Sequence, residues 1–225
     1  MFNSQVCIIG VQVVGNILDY SSSVHTLVIK DCFIYSSAGV IIQNSTTDCR
    51  TYIENCVILA SKYDRDNEMI GIYSGAVQML NCQVESKGYN SCLKIRGSAR
   101  ILNIALCTFT NSSALSTISP LVYIDTSSYS SVKTFANCGF IFEGATSRTP
   151  ANGNNIAIYI TGMASLLYLL NNMFSLQGTP AGYNAVDAPN GNMIVIHGGN
   201  LSAPGVASNI AGTTGSTKIP LNQMS

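Results

Sequence analysis

Four ionisable side chains, Asp64, Arg65, Asp66 and Glu68, stand together in the stretch "KYDRDNE" of a chain in which only 10% of residues are charged. Carboxylates gathered beside an arginine could hold calcium and a base, as a polysaccharide lyase requires, and a carboxylate pair could hydrolyse a glycoside. The same residues also describe a solvated surface loop. Other acidic residues give no second cluster: Asp19, Asp48, Glu54, Glu85, Asp125, Glu143 and Asp187 are scattered along the chain. Glu54 and Glu85 sit at different offsets from the nearest cysteine, and Asp125 has no acidic counterpart in the later segment "IAIYIT". His25 and His197 are the only histidines and no CxxC occurs, so a zinc site lacks its usual paired ligands. His25 reads as an exposed turn or strand residue, and His197 stands beside two glycines; neither is assigned a role. No P-loop, GxGxxG turn or Ser-His-Asp order is present, and neither a cofactor nor a metal is expected.

The eight cysteines are more regular than the carboxylates. "IENCVI" at 53–58 has relatives in "IKDCFI" at 29–34, "MLNCQV" at 79–84 and "FANCGF" at 135–140. Taken with Cys7 and Cys107, the series Cys7, Cys32, Cys56, Cys82, Cys107 and Cys138 has differences of 25, 24, 26, 25 and 31, and "LNNMFS" places Met173 at the next equivalent position. A recurrence near 25 residues is the mark of a repeat architecture. Regular spacing explains six of the eight cysteines as a buried core ladder of reduced thiols rather than a disulfide framework, which points to assembly in a reducing, cytosol-like compartment.

These residues must be positioned by strands. Nineteen glycines, many β-branched residues and runs such as "SSYSS" oppose long helices. After each Cys segment comes a second piece with alternating apolar residues: "GVIIQ", "IGIYS", "CLKIR", "LVYID" and "IAIYI". A unit of this size cannot bury its own apolar face, but stacked units can. Stacking at strand spacing would place the cysteines in one inward file and the residues before them, Asp31, Asn55, Asn81, Asn137 and Asn172, in a second file at a left-handed corner. Leu106 interrupts that second file.

Repeats of this length, with an Asn-rich corner and stacked inward aliphatics, resemble the right-handed parallel β-helix of the pectate-lyase-like superfamily over roughly residues 5 to 200. The resemblance implies an all-β, single-stranded right-handed solenoid of seven or eight coils. The superfamily contains polysaccharide lyases and hydrolases, phage tailspikes, adhesins and repeat proteins of large DNA viruses, so it implies a fold more than an activity. The thiol-rich file and uncharged surface are most similar to the virion-associated members.

Composition narrows the partners. Eleven basic and eleven acidic residues give a net charge of zero, unlike a nucleic-acid binder. The apolar start "VCIIGVQVVGNIL" has no basic flank and is too short for a membrane span. Residues 1–200 read as the solenoid and 201–225, rich in Gly, Ser and Thr, as a tail or wrapping segment. Extra residues in "TNSSALSTISP" and "EGATSRTPANGNN" fall at the same place in the repeat as the charged loop at 61–69, giving one loop edge that could contact glycan or protein. An uncapped first coil and an uncharged surface suit self-association, with a homotrimer expected, or packing against other particle proteins. Two functions follow: a non-enzymatic structural solenoid of a virus particle, or a carbohydrate-active β-helix using Asp64, Arg65, Asp66 and Glu68.

Overall fold

The computed structural model describes residues 4–20, 23–36, 40–43, 48–60, 68–87, 91–112, 120–125, 132–142, 157–161, 165–176, 184–188, 193–199, 201–202, 209–212 and 217–220. Among these residues the chain is all-β, with no helix. The strands lie in three parallel sheets of nine, eight and eight strands, and each strand pairs with the strand three places later in the chain. This is consistent with a β-solenoid. A typical repeat, the third, runs Arg50–Glu54 in the first sheet, Val57–Ala60 in the second and Ile70–Ile72 in the third. Pairing continues past residue 200, where Leu201–Ser202, Asn209–Gly212 and Thr217–Pro220 each join a sheet.

The "Cys strand" of the sequence is two strands meeting at a corner. The corner residue takes the left-handed conformation: Asp31, Asn55, Asn81, Leu106, Asn137 and Asn171 have φ between 52 and 55°. Gly10 and Gly199 hold the same place in the outer repeats with φ of 67 and 65°. Asparagine tolerates this geometry because its short amide can bond locally, and here it also bonds vertically. Asn55 Nδ2 donates to Asp31 Oδ1 at 2.9 Å, and Asn81 Nδ2 donates to Asn55 Oδ1 at 3.0 Å.

The following residue turns inward. Cys32, Cys56, Cys82, Cys107 and Cys138 are all buried, and none of the eight cysteines forms a disulfide. Cys7 corrects the expected file. It lies within the first strand, Ser4–Ile9, paired with Val28, and is exposed; Val11 follows the Gly10 corner in its stead. The 25-residue step from Cys7 to Cys32 was therefore a coincidence of spacing. The other end is corrected too. Asn171 forms the corner and Asn172 occupies the cysteine's place, while Met173 begins the next strand and is 47% exposed.

The corner thiols are also more polar in role than a core ladder suggests. Cys56 Sγ donates toward Glu54 O at 3.1 Å and Ile29 O at 3.5 Å, and Cys82 Sγ toward Leu80 O and Ile53 O, both at 3.3 Å. Each thus serves a carbonyl two residues back and one in the preceding repeat. Asn172 makes the equivalent bond, Nδ2 to Phe135 O at 3.0 Å, and its Oδ1 accepts from Cys138 N at 2.9 Å. A small donor is selected because these carbonyls are cut off from water, and an unmet buried carbonyl is costly.

Inward rows complete the core. In the second sheet Ile34, Ile58 and Val84 give way to Phe109, Phe140 and Phe174, all buried. Phe109 and Phe140 stack at 5.5 Å, and Phe140 and Phe174 at 5.1 Å. In the third sheet Val40, Ile70, Leu93, Val122 and Ile158 form one row and Ile42, Ile72, Ile95, Ile124 and Ile160 the next. Burying each such aliphatic contributes about 1.5–3 kcal/mol.

Two substitutions test the corner. Leu106 carries the left-handed strain that costs an ordinary side chain about 1–2 kcal/mol, so Leu106→Asn should stabilise the chain by about 1 kcal/mol in chemical denaturation; an unchanged or lower midpoint contradicts the account. Because the Cys82 thiol donates to carbonyls, Cys82→Ser should retain about 1 kcal/mol more stability than Cys82→Ala. Equal or better stability for the alanine variant would mean that the position selects for size alone.

Candidate functional site

Of the acidic cluster, Asp64, Arg65 and Asp66 lie outside the described residues, and so do the central parts of the two other long loops at 113–119 and 143–156. The strands that flank all three belong to the second and third sheets. Glu68 is described, and it is not solvated: only 5% of it is exposed. It precedes Ile70–Ile72 and lays its carboxylate over Gly71, where an added Cβ would come within 2.8 Å of Oε1. Gly71 is therefore what allows the carboxylate to lie against the sheet.

Both oxygens of Glu68 have partners. The Tyr73 hydroxyl donates to Oε1, and Lys94 Nζ, from the strand paired with Gly71, lies 3.6 Å from Oε2. Burial, reinforced by Glu68, pushes the Tyr73 hydroxyl up to about 12, so it stays a donor at neutral pH. An incoming substrate would have to displace one of these groups before Glu68 could act as acid or base. Among the described residues no group of three or more His, Cys, Asp or Glu could hold a metal ion.

The next strands extend this surface. Lys94, Tyr123 and Tyr159 are consecutive in register on the third sheet. The Tyr123 and Tyr159 rings lie 5.7 Å apart at 32°, with Lys94 Nζ 5.9 Å and the Arg96 guanidinium 5.7 Å from the Tyr123 centroid. Tyr123 Oη and Thr161 Oγ1 are 3.4 Å apart. Tyr123 thus lies beneath two cations, one of them matched by Glu68, with the Tyr159 ring packed beside it.

His25 corrects its expected exposure, since only 5% of it is exposed. Its Nε2 lies 2.7 Å from Asp19 Oδ2 and its Nδ1 2.9 Å from Ser23 O, with Cys49 Sγ 3.6 Å from Nδ1. Asp19 comes from the repeat before and Cys49 from the repeat after, so alternation within the strand gave no sign of this contact. Burial alone would lower the imidazole pKa, but the bonds to Ser23 O and Asp19 outweigh it and the pKa is raised. His197 is partly exposed at the end of Met193–Gly198. A second unforeseen group is Lys133, an inward side chain of Val132–Ala136 with no exposed surface, whose amine burial lowers to about 8.

The deep thiols are poor nucleophiles. Cys82 beside it, then burial, raises the Cys56 thiol; burial pushes Cys92 up to about 12 and Cys138 to about 11. A different surface lies on the outer face of the second sheet. Val14, Phe33 and Tyr35 are 78%, 38% and 39% exposed, and Val57 and Leu59 continue their rows. Among the described residues no helix is long and apolar enough to cross a membrane.

The chain matches no protein-family model, no curated protein and no solved structure. Its reading rests on the geometry above.

The His25 bridge has a definite pH sign. Because the folded pKa lies above the ordinary 6.5, the charged pair stabilises fully below about pH 6.5, and that contribution is lost as pH rises through the folded value. The stability gap between the native chain and Asp19→Asn should therefore be larger at pH 6 than at pH 9. An NMR titration should place the His25 midpoint above 6.5; a midpoint at or below 6.5 contradicts the bridge.

Proposed function

We propose that this chain is a non-enzymatic structural protein, a right-handed β-solenoid that works as a component of a larger assembly of the virus-particle kind. The observation that carries this reading is the exposed apolar face of the second sheet, where Val14, Phe33 and Tyr35 stand side by side. Apolar patches of this sort mark contact surfaces when they are contiguous. The low charge of the chain lowers the cost of dehydrating such a contact. The resemblance to virion-associated β-helix proteins supports the setting, and the reduced state of all eight cysteines supports assembly in a reducing compartment such as a host cytoplasm. A homotrimer is the form of self-association that suits a three-sided rod.

The carbohydrate-active alternative draws on Glu68. Its two oxygens are already held by Tyr73 and Lys94, which favours the structural reading.

Sedimentation at micromolar concentration should show a stable oligomer that Phe33→Glu and Tyr35→Glu dissociate without altering the far-UV circular dichroism. A monomer across that range, or a chain that depolymerises a polysaccharide and stops doing so as Glu68→Gln, would overturn the proposal.

A further inference from the structure

Both ring nitrogens of His25 face acceptors. Nε2 lies 2.7 Å from Asp19 Oδ2 and Nδ1 2.9 Å from Ser23 O. A carboxylate and a backbone carbonyl can only accept, whereas a neutral imidazole carries one hydrogen and one lone pair. In either neutral tautomer one of these short contacts would set lone pair against lone pair at a buried residue, and only the imidazolium donates to both. The Cys49 thiol, 3.6 Å from Nδ1, could donate to a neutral ring, but Ser23 O would still stand against the same nitrogen. Ser4 pairs with His25 in register from the first strand and brings no charge, and Asp48 and Arg50, on either side of Cys49, are exposed. Asp19 is the counter-ion that the ring depends on.

The two partners belong to different repeats. Asp19 ends Ile17–Asp19, the third strand of the first described repeat, and His25 begins His25–Lys30 of the next. None of the residues of Ser4–Ile9, Gln12–Val14 or Ile17–Asp19 is buried, while Leu27, Ile29, Ile34, Val40 and Ile42 of the second repeat are. A cavity of about 210 Å³, lined by Val6, Ile8, Ile17, Asp19, His25 and Leu27, leaves the junction of the two repeats loosely packed. A repeat with so little buried side-chain surface opens before the rest of the array.

We propose that the Asp19–His25 pair is a proton-operated clasp on the first described repeat, which the charged ring holds closed over the second repeat and the neutral ring releases as a unit. Release uncovers the inward row of Leu27, Ile29, Ile34, Val40 and Ile42. The ring's pKa is raised above 6.5, so the clasp is fully made below about pH 6.5 and is lost as pH rises through the folded value. The clasp goes beyond the assembly role and stands without it.

Hydrogen exchange of the intact chain, expressed as protection relative to the intrinsic rate at each pH, reads the opening strand by strand. The amides of Gly10 and Gly15, which donate to Lys30 O and Tyr35 O across the junction, are direct reporters. Between pH 6 and pH 9 their protection should fall about tenfold, the size of one charge-assisted hydrogen bond, while Ala76–Leu80 and Arg100–Ala105 keep theirs. The loss should level off once the pH exceeds the midpoint that NMR gives for His25. In Asp19→Asn the side-chain amide can donate to a neutral ring, so the protection of the same amides should depend little on pH. Unchanged protection at Gly10 and Gly15 from pH 6 to pH 9, an equal loss in the reference strands, or the same pH-dependent loss in Asp19→Asn overturns the inference.

Discussion

The fold depends on one sharp corner made once per repeat. Between the first and second sheets the backbone must pass through a left-handed residue and then turn a small donor inward to carbonyls that water cannot reach. Asn followed by Cys meets both demands, and the demands are separate. Where the first is met by Gly10 or Leu106 and the second by Asn172, the corner still forms, and after Gly10 it forms with the exposed Val11, which brings no donor. Asn172 shows what the thiols do, because its amide reaches the equivalent carbonyl and also satisfies the Cys138 amide above it. A thiol is the small, weakly polar version of the same device.

Once that corner is repeated, the rest follows by stacking. Equivalent residues fall into rows, so that one row in the second sheet can change from Ile and Val to stacked Phe without altering the register. Outer faces are free to differ: the second sheet presents Val14, Phe33 and Tyr35, while the third presents the Lys94, Arg96 and tyrosine strip. The scaffold is thus uniform inside and varied outside.

Much of this was legible in the sequence. The period near 25, the corner asparagines and the pieces "IGIYS", "CLKIR", "LVYID" and "IAIYI" correspond to the corners and the third-sheet strands observed. The errors arise where spacing was taken for structural equivalence. Cys7 lies 25 residues before Cys32 but within a strand, and in "LNNMFS" two adjacent asparagines shift the register by one. The candidate sites were less legible, because contacts between repeats join residues distant in sequence. His25 meets Asp19 and Cys49, and Glu68 is buried because Gly71 leaves room beneath it. Glycine in a strand that otherwise alternates was the available signal for a close approach of this kind.

The central claim is that equivalent corners stack at strand spacing from Gly10 to Gly199 among the described residues, and pulsed electron resonance measures that directly. Spin labels placed by Tyr35→Cys and Ser175→Cys, in a chain whose exposed Cys7 is replaced by Ser, would stand on one row of the second sheet five strand spacings apart. At about 4.8 Å per strand the backbone separation is about 24 Å. Moving the second label from Ser175 to Ile141 should shorten the distance by about one spacing. A narrow distribution near 24 Å that contracts in this way is the predicted result; a broad distribution, or no contraction between the two pairs, would contradict the account.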